Sequence, residues 1–260
     1  YTRCIVALGG CAKLVGISHT CLLPEERRGC GGMLTDLPDV GPFGTHVELI
    51  ASLKPDLIFA RETEASSLAA KTGAAVVSVS FPDDIPMREQ FRRQIALMGR
   101  ALHMEQQADS LAAFIDSAIE PVTSATDTIP DNRKPRVYFA WTSWTGDILN
   151  TVCDFDPIEL AGGINVAAGA EHFTKGERGV LVSREHILKW DPEFIFISRY
   201  QRQKWHDNGE TSPLPVTVED VLGDPLLQDV SAVKKKQVFY TTAFCNWWRH
   251  QRAFVQVLSM

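Results

Sequence analysis

Apolar and polar positions follow two periods along this chain, and one arrangement of them occurs twice. Residues 47–60, VELIASLKPDLIFA, are echoed by residues 184–197, REHILKWDPEFIFI. Each copy sets an acid (Glu48, Glu185), then Ile two residues later (Ile50, Ile187), then proline seven residues after the acid (Pro55, Pro192). A second acid and four apolar residues follow each proline. The pattern predicts a short helix stopped by proline and feeding a strand buried on both faces, as a parallel sheet requires. Two copies predict two α/β units. They lie too far apart to be a solenoid repeat.

Around these copies the pattern predicts further elements. Cys4 to Leu8, closed by Gly9 and Gly10, reads as a helix end with a glycine cap or a short strand. Leu14 to Ile17 reads as a strand, and 18–44 as a long loop region rich in glycine and proline, of a length that usually serves function. A helix near Glu62 to Lys71 and a strand from Ala75 to Val79 follow the first copy. Phe91, Ile95, Met98, Leu102, Ala108, Leu111, Ile115 and Ile119 then keep helical spacing up to Pro121. They predict one uninterrupted helix from about Met87 to Ile119, roughly 50 Å long, with flexing concentrated at Gly99. A polar linker at 124–135 precedes a strand at Arg136 to Ala140, a helix near Pro157 to Leu160, a short helix at Val218 to Leu222 and a strand at Gln237 to Tyr240. A final helix is expected from Asn246. The boundaries implied are an N-terminal α/β lobe at 1–85, a linker helix at 86–123 and a C-terminal α/β lobe at 124–260.

Composition narrows the function more than the fold. The 260 residues are 45% hydrophobic and 22% charged, enough for a full core. A net charge of −6, with no basic stripe carrying aromatics, argues against nucleic acid; Lys234 to Lys236 reads as a solvated turn. No apolar run reaches the ~20 residues of a membrane helix. Tyr1 begins in structured-looking sequence and Met260 stops inside a helical pattern, so both ends read as trimmed and the lack of a leader does not argue against export. Six cysteines contain no CxxC pair; in an exported chain Cys21 and Cys30 flank one loop and can pair, and otherwise the six are buried or free thiols.

With these elements in place, the chain resembles the class III periplasmic substrate-binding proteins of ABC importers for iron-siderophores, haem and cobalamin. The resemblance rests on Leu14–Ile17, Leu37–Gly41, both repeated segments, Glu159–Asn165 and Asp229–Lys234, in the family's order. It implies two Rossmann-like α/β lobes joined by a single long α-helix, with the ligand in the cleft between them. It also implies a monomer, periplasmic or lipid-anchored at the outer face of the cytoplasmic membrane, that passes its ligand to permease subunits. In the family, one acid at the matching position on each lobe docks on permease arginines, which assigns that role to Glu48 and Glu185. The family's first strand, with its ligand-facing loop, has no counterpart before Tyr1.

Ligands of open α/β sheets bind beyond the carboxyl ends of the strands. The residues that follow the expected strands include Arg27 and Arg28 in the first half, and Trp141, Trp144, Tyr200, Arg202, Trp205 and Trp248 in the second. Five of the six tryptophans fall in such segments, and only Trp190 belongs to a helix. Rigid aromatic faces and forked guanidinium donors suit a bulky anionic metal chelate. The chelate itself, whether ferric siderophore, corrinoid or haem, stays open. The seven histidines are dispersed without HxH or HExxH spacing, so no protein-held metal and no cofactor is expected. There is no GxSxG, P-loop or GxGxxG, and the reading is a binding protein rather than an enzyme. The rival is a metal chelatase-like enzyme on two similar α/β lobes, which would need a buried acid or histidine to take protons from a macrocycle.

Overall fold

The structure, a computed structural model, describes residues 1–18, 30–41, 44–78, 85, 87–142, 146–170, 179–198 and 216–241. These residues fall into two compact units, the first holding 1–78 and Glu89–Ala112, the second the described residues from Ala113 onward together with 85 and 87–88.

In the first unit, α1 (Thr2–Ala7) precedes a stretch in which the expected strand at Leu14 to Ile17 reduces to a single parallel bridge, Ile17 to Asp39. A side chain at Gly16 would run into Leu53 and Val40 at 2.8 and 2.9 Å, so glycine lets this segment lie close to its neighbours. A short helix α2 (Met33–Asp36) follows. The first repeated segment forms α3 (Val47–Leu53) and β1 (Leu57–Ala60); α4 (Glu62–Thr72) leads to β2 (Ala75–Ser78), which pairs parallel with β1. The core of this unit joins Cys4 and Ile5 of α1, and Leu8 just after it, to Ile95, Met98, Met104 and Ala108.

The cysteine pairing differs from the expected one. Cys30 bonds to Cys11 across 19 residues, whereas Cys21 lies outside the described residues; Cys4 and Cys153 are buried. A loop of that length closed by a disulfide is stabilised by ~3 kcal/mol through the unfolded chain it restricts.

The long helix is also two helices. α5 (Met87–Leu102) ends where His103 takes a left-handed φ of 54°, and α6 (Glu105–Thr126) starts two residues later. Two hydrogen bonds close the end of α5: the Met104 N–H donates to the Gly99 carbonyl at 2.8 Å and the His103 N–H to the Arg100 carbonyl at 3.2 Å. This is the Schellman arrangement, with histidine where glycine is usual. Nine residues in one helix span about 13 Å, yet a Cβ on Gly99 would sit 2.6 Å from the Cβ of Ala108. The chain therefore turns sharply at His103, and Gly99 is a point of close packing, not of flexure. Nor does Pro121 end the second helix, which continues to Thr126, into the expected linker. Hydroxyls of Thr123 and Thr126 donate to carbonyls one turn back, and Thr126 also reaches the Leu160 carbonyl at 3.1 Å.

The second unit is built on a sheet of six described strands. Five run in the order β6 (Gly179–Leu181), β4 (Asn150–Val152), β3 (Arg136–Ala140), β7 (Phe194–Ser198) and β8 (Val238–Thr241), and β5 (Ile164–Asn165) also pairs with β3. β3, β7, β8 and β5 are mutually parallel where they pair, while β4 and β6 are antiparallel. Helices α7 (Asp156–Leu160), α8 (Arg184–Trp190), α9 (Val218–Gly223) and α10 (Ser231–Lys234) connect them. Tyr138, Ala140, Ile187, Ile195 and Ile197, all at most 1% exposed, centre the larger core. Tyr138 donates to the Ile148 carbonyl at 2.6 Å, and burial pushes its phenol pKa far up, so it stays protonated. Val137, Phe139 and Val152 form the opposite layer with Phe155, which stacks on Phe139 at 4.2 Å.

Both repeated segments fold as helix, turn and strand, each helix closing on a left-handed residue immediately before its proline: Lys54 at φ 48° and Asp191 at φ 38°. Burial on both faces is incomplete, however. Phe194 and Phe196 are half-buried where Ile195 and Ile197 are buried, and Leu57, Ile58 and Phe59 are all half-buried.

The substitution G99A should destabilise the protein by about 1–3 kcal/mol through overpacking, although alanine favours an isolated helix by ~1 kcal/mol. Adding A108G should recover part of that loss in urea unfolding, and an unchanged midpoint in G99A would show that the α5–α6 contact can open freely.

Candidate functional site

The carboxyl ends of β3 and β7 are held together beyond their last paired residues, Ala140 and Ile197. Thr142 and Ser198, 0% and 1% exposed, continue the ladder with their side chains. The Thr142 N–H donates to Ser198 Oγ at 2.9 Å, and Thr142 Oγ1 donates to the Ser198 carbonyl at 2.9 Å. With that proton committed, the 3.2 Å contact between the two hydroxyls leaves Ser198 as its donor. Every polar group of this pair thus works inside the core, and the segments that continue from it start from fixed points.

Those segments carry four of the eight expected ligand residues, Trp144, Tyr200, Arg202 and Trp205. Trp144, Tyr200, Arg202, Trp205 and Trp248, with Arg27 and Arg28 of the first half, lie outside the described residues. Trp141 is described, and it is 4% exposed. Its backbone N–H donates to the Asn150 carbonyl at 2.7 Å, and its ring lies so close to Gly179 that a Cβ there would approach Cζ3 to 3.1 Å. Strand alternation puts it on the same face as Val137 and Phe139, in the core layer.

The same rule of strand ends points in the first unit to residues that the list of expected contacts lacks. Ser78 closes β2 in register with Ala60 of β1, and Arg61 and Glu64 follow directly on β1. Ser18 follows the bridge at Ile17. Ser18 Oγ, Glu64 Oε2 and Ser78 Oγ are buried atoms without a hydrogen-bond partner among the described residues. Buried polar atoms are rarely left so. Their signal in the sequence is faint: Ser18 and Ser78 stand at the ends of the runs 14–17 and 75–77, and Glu64 lies four residues past Ala60.

Glu48 and Glu185 stand exposed in the first turns of α3 and α8. A carboxylate there gains from the helix dipole. The Ser183 hydroxyl, then the backbone N–H of Glu185, hold the Glu185 carboxyl below the usual carboxylate range, so it is ionised at neutral pH. Among the described residues, no group of three or more His, Cys, Asp or Glu converges to hold a metal ion, and no helix is long and apolar enough to cross a membrane.

Comparison with known proteins fits this geometry. A family model described as periplasmic binding protein matches residues 1–243. An uncharacterized ABC transporter substrate-binding lipoprotein of Bacillus subtilis, YvrC, is 27% identical over 200 residues, covering 75% of this chain and 59% of its own length. The molybdate-binding protein MolA of Haemophilus influenzae is 24% identical over 262 residues, covering 91% of this chain and 65% of its own. The chain thus spans less than two-thirds of either relative. Among solved structures, Helicobacter pylori CeuE in its Ni-His complex superposes with a TM-score of 0.72 at 20% identity, covering 99% of this chain and 79% of that one.

Replacing Thr142 by valine keeps the shape but removes the hydroxyl that donates to the Ser198 carbonyl and accepts the Ser198 hydroxyl proton, and should cost about 1–3 kcal/mol. T142S keeps the hydroxyl and should cost less. Equal denaturation midpoints for T142V and T142S would show that the hydroxyl bonds contribute nothing.

Proposed function

Since the chain belongs to the periplasmic binding protein family, we propose that it is the solute-binding component of an ABC importer, periplasmic or lipid-anchored, which captures a metal chelate and delivers it to the permease. The observation that carries this reading is the matched pair of helix–turn–strand segments, each presenting one exposed first-turn glutamate. Single exposed carboxylates at helix starts are ordinary. Two at the same place in a duplicated segment, one in each unit, suit a partner that reads both units at once. Exposed charges of this kind steer and orient docking.

The ligand end follows from the strand ends. Trp144, Tyr200, Arg202, Trp205 and Trp248 supply aromatic area and guanidinium donors for an anionic chelate, together with Arg27 and Arg28 of the first half. Ser18, Glu64 and Ser78 offer polar atoms that a ligand or its ordered water would satisfy. Trp141 supports the site from beneath, through the core. MolA's printed ligand, molybdate, favours a second reading as an oxyanion binder, which would rely on backbone donors and leave the tryptophans without a role.

A thermal-shift panel of a ferric catecholate, a ferric hydroxamate, haemin, cyanocobalamin and molybdate tests the ligand class. One-site binding at about 100 times Kd adds ~2.7 kcal/mol of stability. A shift with one of the chelates and none with molybdate is expected, and a shift with molybdate alone overturns the chelate reading.

Two variants test the residues. W205A should weaken chelate binding tenfold or more, since truncating a packed aromatic anchor costs ~2 kcal/mol. W141A is the poorer probe, because removing a buried indole costs ~3–5 kcal/mol of stability. The double reversal E48R/E185R should abolish uptake while chelate affinity, read by the same thermal shift, stays unchanged. Normal uptake by that variant would sink the docking assignment.

A further inference from the structure

Little holds the stretch between α1 and α3 in place. Its described residues from Cys11 to Gly41 form short helical turns and one bridge, with no strand longer than that. Two arms meet at the bridge, where the Ile17 N–H donates to the Pro38 carbonyl at 3.1 Å and the Val40 N–H to the Ile17 carbonyl at 3.0 Å. Beside it, Ile17 and Leu34 are buried in a small cluster edged by Val6, Leu14, Cys30 and Leu37. Two buried side chains and two hydrogen bonds do not offset the entropy of ordering arms of this length. A covalent bond adds what is lacking, since Cys30 of this cluster is joined to Cys11.

The backbone at the second arm's start also needs holding. Cys30, Gly31 and Gly32 are all left-handed, at φ 58°, 68° and 91°. A Cβ on Gly31 or Gly32 would meet nothing within 4 Å, so these glycines serve the backbone path and not close packing. Cys30 has a side chain and takes that path against its preference, tied to Cys11. The bond closes a loop that contains Ser18 and the two expected ligand residues of this half, Arg27 and Arg28. The segment 19–29, which carries both arginines, thus follows directly on the bridge and ends directly at the disulfide.

We propose that the Cys11–Cys30 disulfide is a positioning element for the ligand end of the first unit, and that it makes chelate binding conditional on oxidation. The inference rests on the chelate-binding reading given above. In the reduced chain the arms are joined only by the bridge and its small cluster, and a site whose parts are in place a tenth of the time binds about tenfold more weakly. Outside the cytoplasmic membrane, where disulfides form and persist, the two thiols pass two electrons and two protons to a protein disulfide. That oxidant leaves as a dithiol, and the arms are locked. Newly made chain inside the cell is then a poor binder and does not sequester the chelate there.

The experiment compares oxidised wild type, wild type reduced and then freed of reductant, C11S/C30S and C21S. Affinity is read by calorimetry with whichever of the ferric catecholate, ferric hydroxamate, haemin and cyanocobalamin shifts the oxidised protein. Peptide mapping without reduction identifies the bonded cysteines, and amide hydrogen exchange is followed at Ile17, Val40 and Ile195, whose N–H donates to the Gln237 carbonyl at 3.0 Å in the second unit. Reduction and C11S/C30S should each weaken binding about tenfold or more. Both should speed exchange at Ile17 and Val40 and leave Ile195 unchanged, and C21S should match oxidised wild type throughout. Affinity of C11S/C30S within about twofold of wild type, or a map that joins Cys21 to Cys30, overturns the proposal. Faster exchange at Ile195 as well would show that the bond supports the fold at large, and the positioning role fails. If no chelate shifts the oxidised protein, the chelate reading fails, while the map and the exchange at Ile17 and Val40 still decide whether the bond holds the arms.

Discussion

Both units depend on one local constraint: a short helix must end within a residue and return its chain as a strand of the sheet. Lys54 and Asp191 meet it by taking the left-handed conformation at φ 48° and 38°, each followed by proline. The left-handed region costs a non-glycine residue roughly 1 kcal/mol or more, so the surroundings must hold it. In the second unit they do so visibly. The Asp191 carboxylate accepts from the Ser231 N–H at 2.7 Å and from the Ser231 hydroxyl at 3.0 Å, capping α10. The Arg136 guanidinium binds the Trp190 carbonyl at 2.7 Å, and Glu193 accepts from the Arg136 N–H at 3.1 Å. One turn therefore fixes the end of α8, the start of β3 and the start of α10.

The sequence showed this turn clearly because its parts are contiguous. A proline, an acid and an apolar tetrad lie within six residues, and the second-half strands built on such runs, Arg136–Ala140 and Phe194–Ser198, fall where the pattern puts them. The break between α5 and α6 was marked only faintly. No glycine or proline stands at 103 or 104, and its one trace in the apolar pattern is the step of six residues from Leu102 to Ala108 among steps of three and four. What ends α5 is the approach of Ala108 to Gly99, a contact made only after folding. Pro121 misled in the other direction, since a proline there removes a single hydrogen bond and the helix runs past it to Thr126. The cysteine pairing was hidden too, because spacing along a loop does not tell which sulfur the fold brings near.

Trp141 shows how far strand-end reasoning reaches. The residues after a strand face the ligand end only once the strand's alternation has finished, and here it runs one residue further than the apolar run suggests. Val137, Phe139 and Trp141 share one face and enter one core layer, while Tyr138 and Ala140 enter the other. Position along the chain marked the right end of the sheet, and parity decided that this indole points into the core. In the first unit the same rule gave Glu64 and Ser78 too little weight, because short polar side chains after a strand resemble any turn.

Chain direction then relates the two recognition tasks. In each repeated segment the helix reverses through its left-handed turn into the strand, and in the second unit Ile187 of α8 packs into the same core as Ile195 and Ile197 of β7. A helix that runs against the strand it feeds starts at the end where that strand finishes. Glu185 therefore lies at the end of its unit where Thr142 and Ser198 close β3 and β7, and Glu48 lies at the end where Ala60 and Ser78 close β1 and β2. Within each unit, the carboxylate assigned to the permease and the strand ends assigned to the ligand are attached to one another through a single helical turn and its strand.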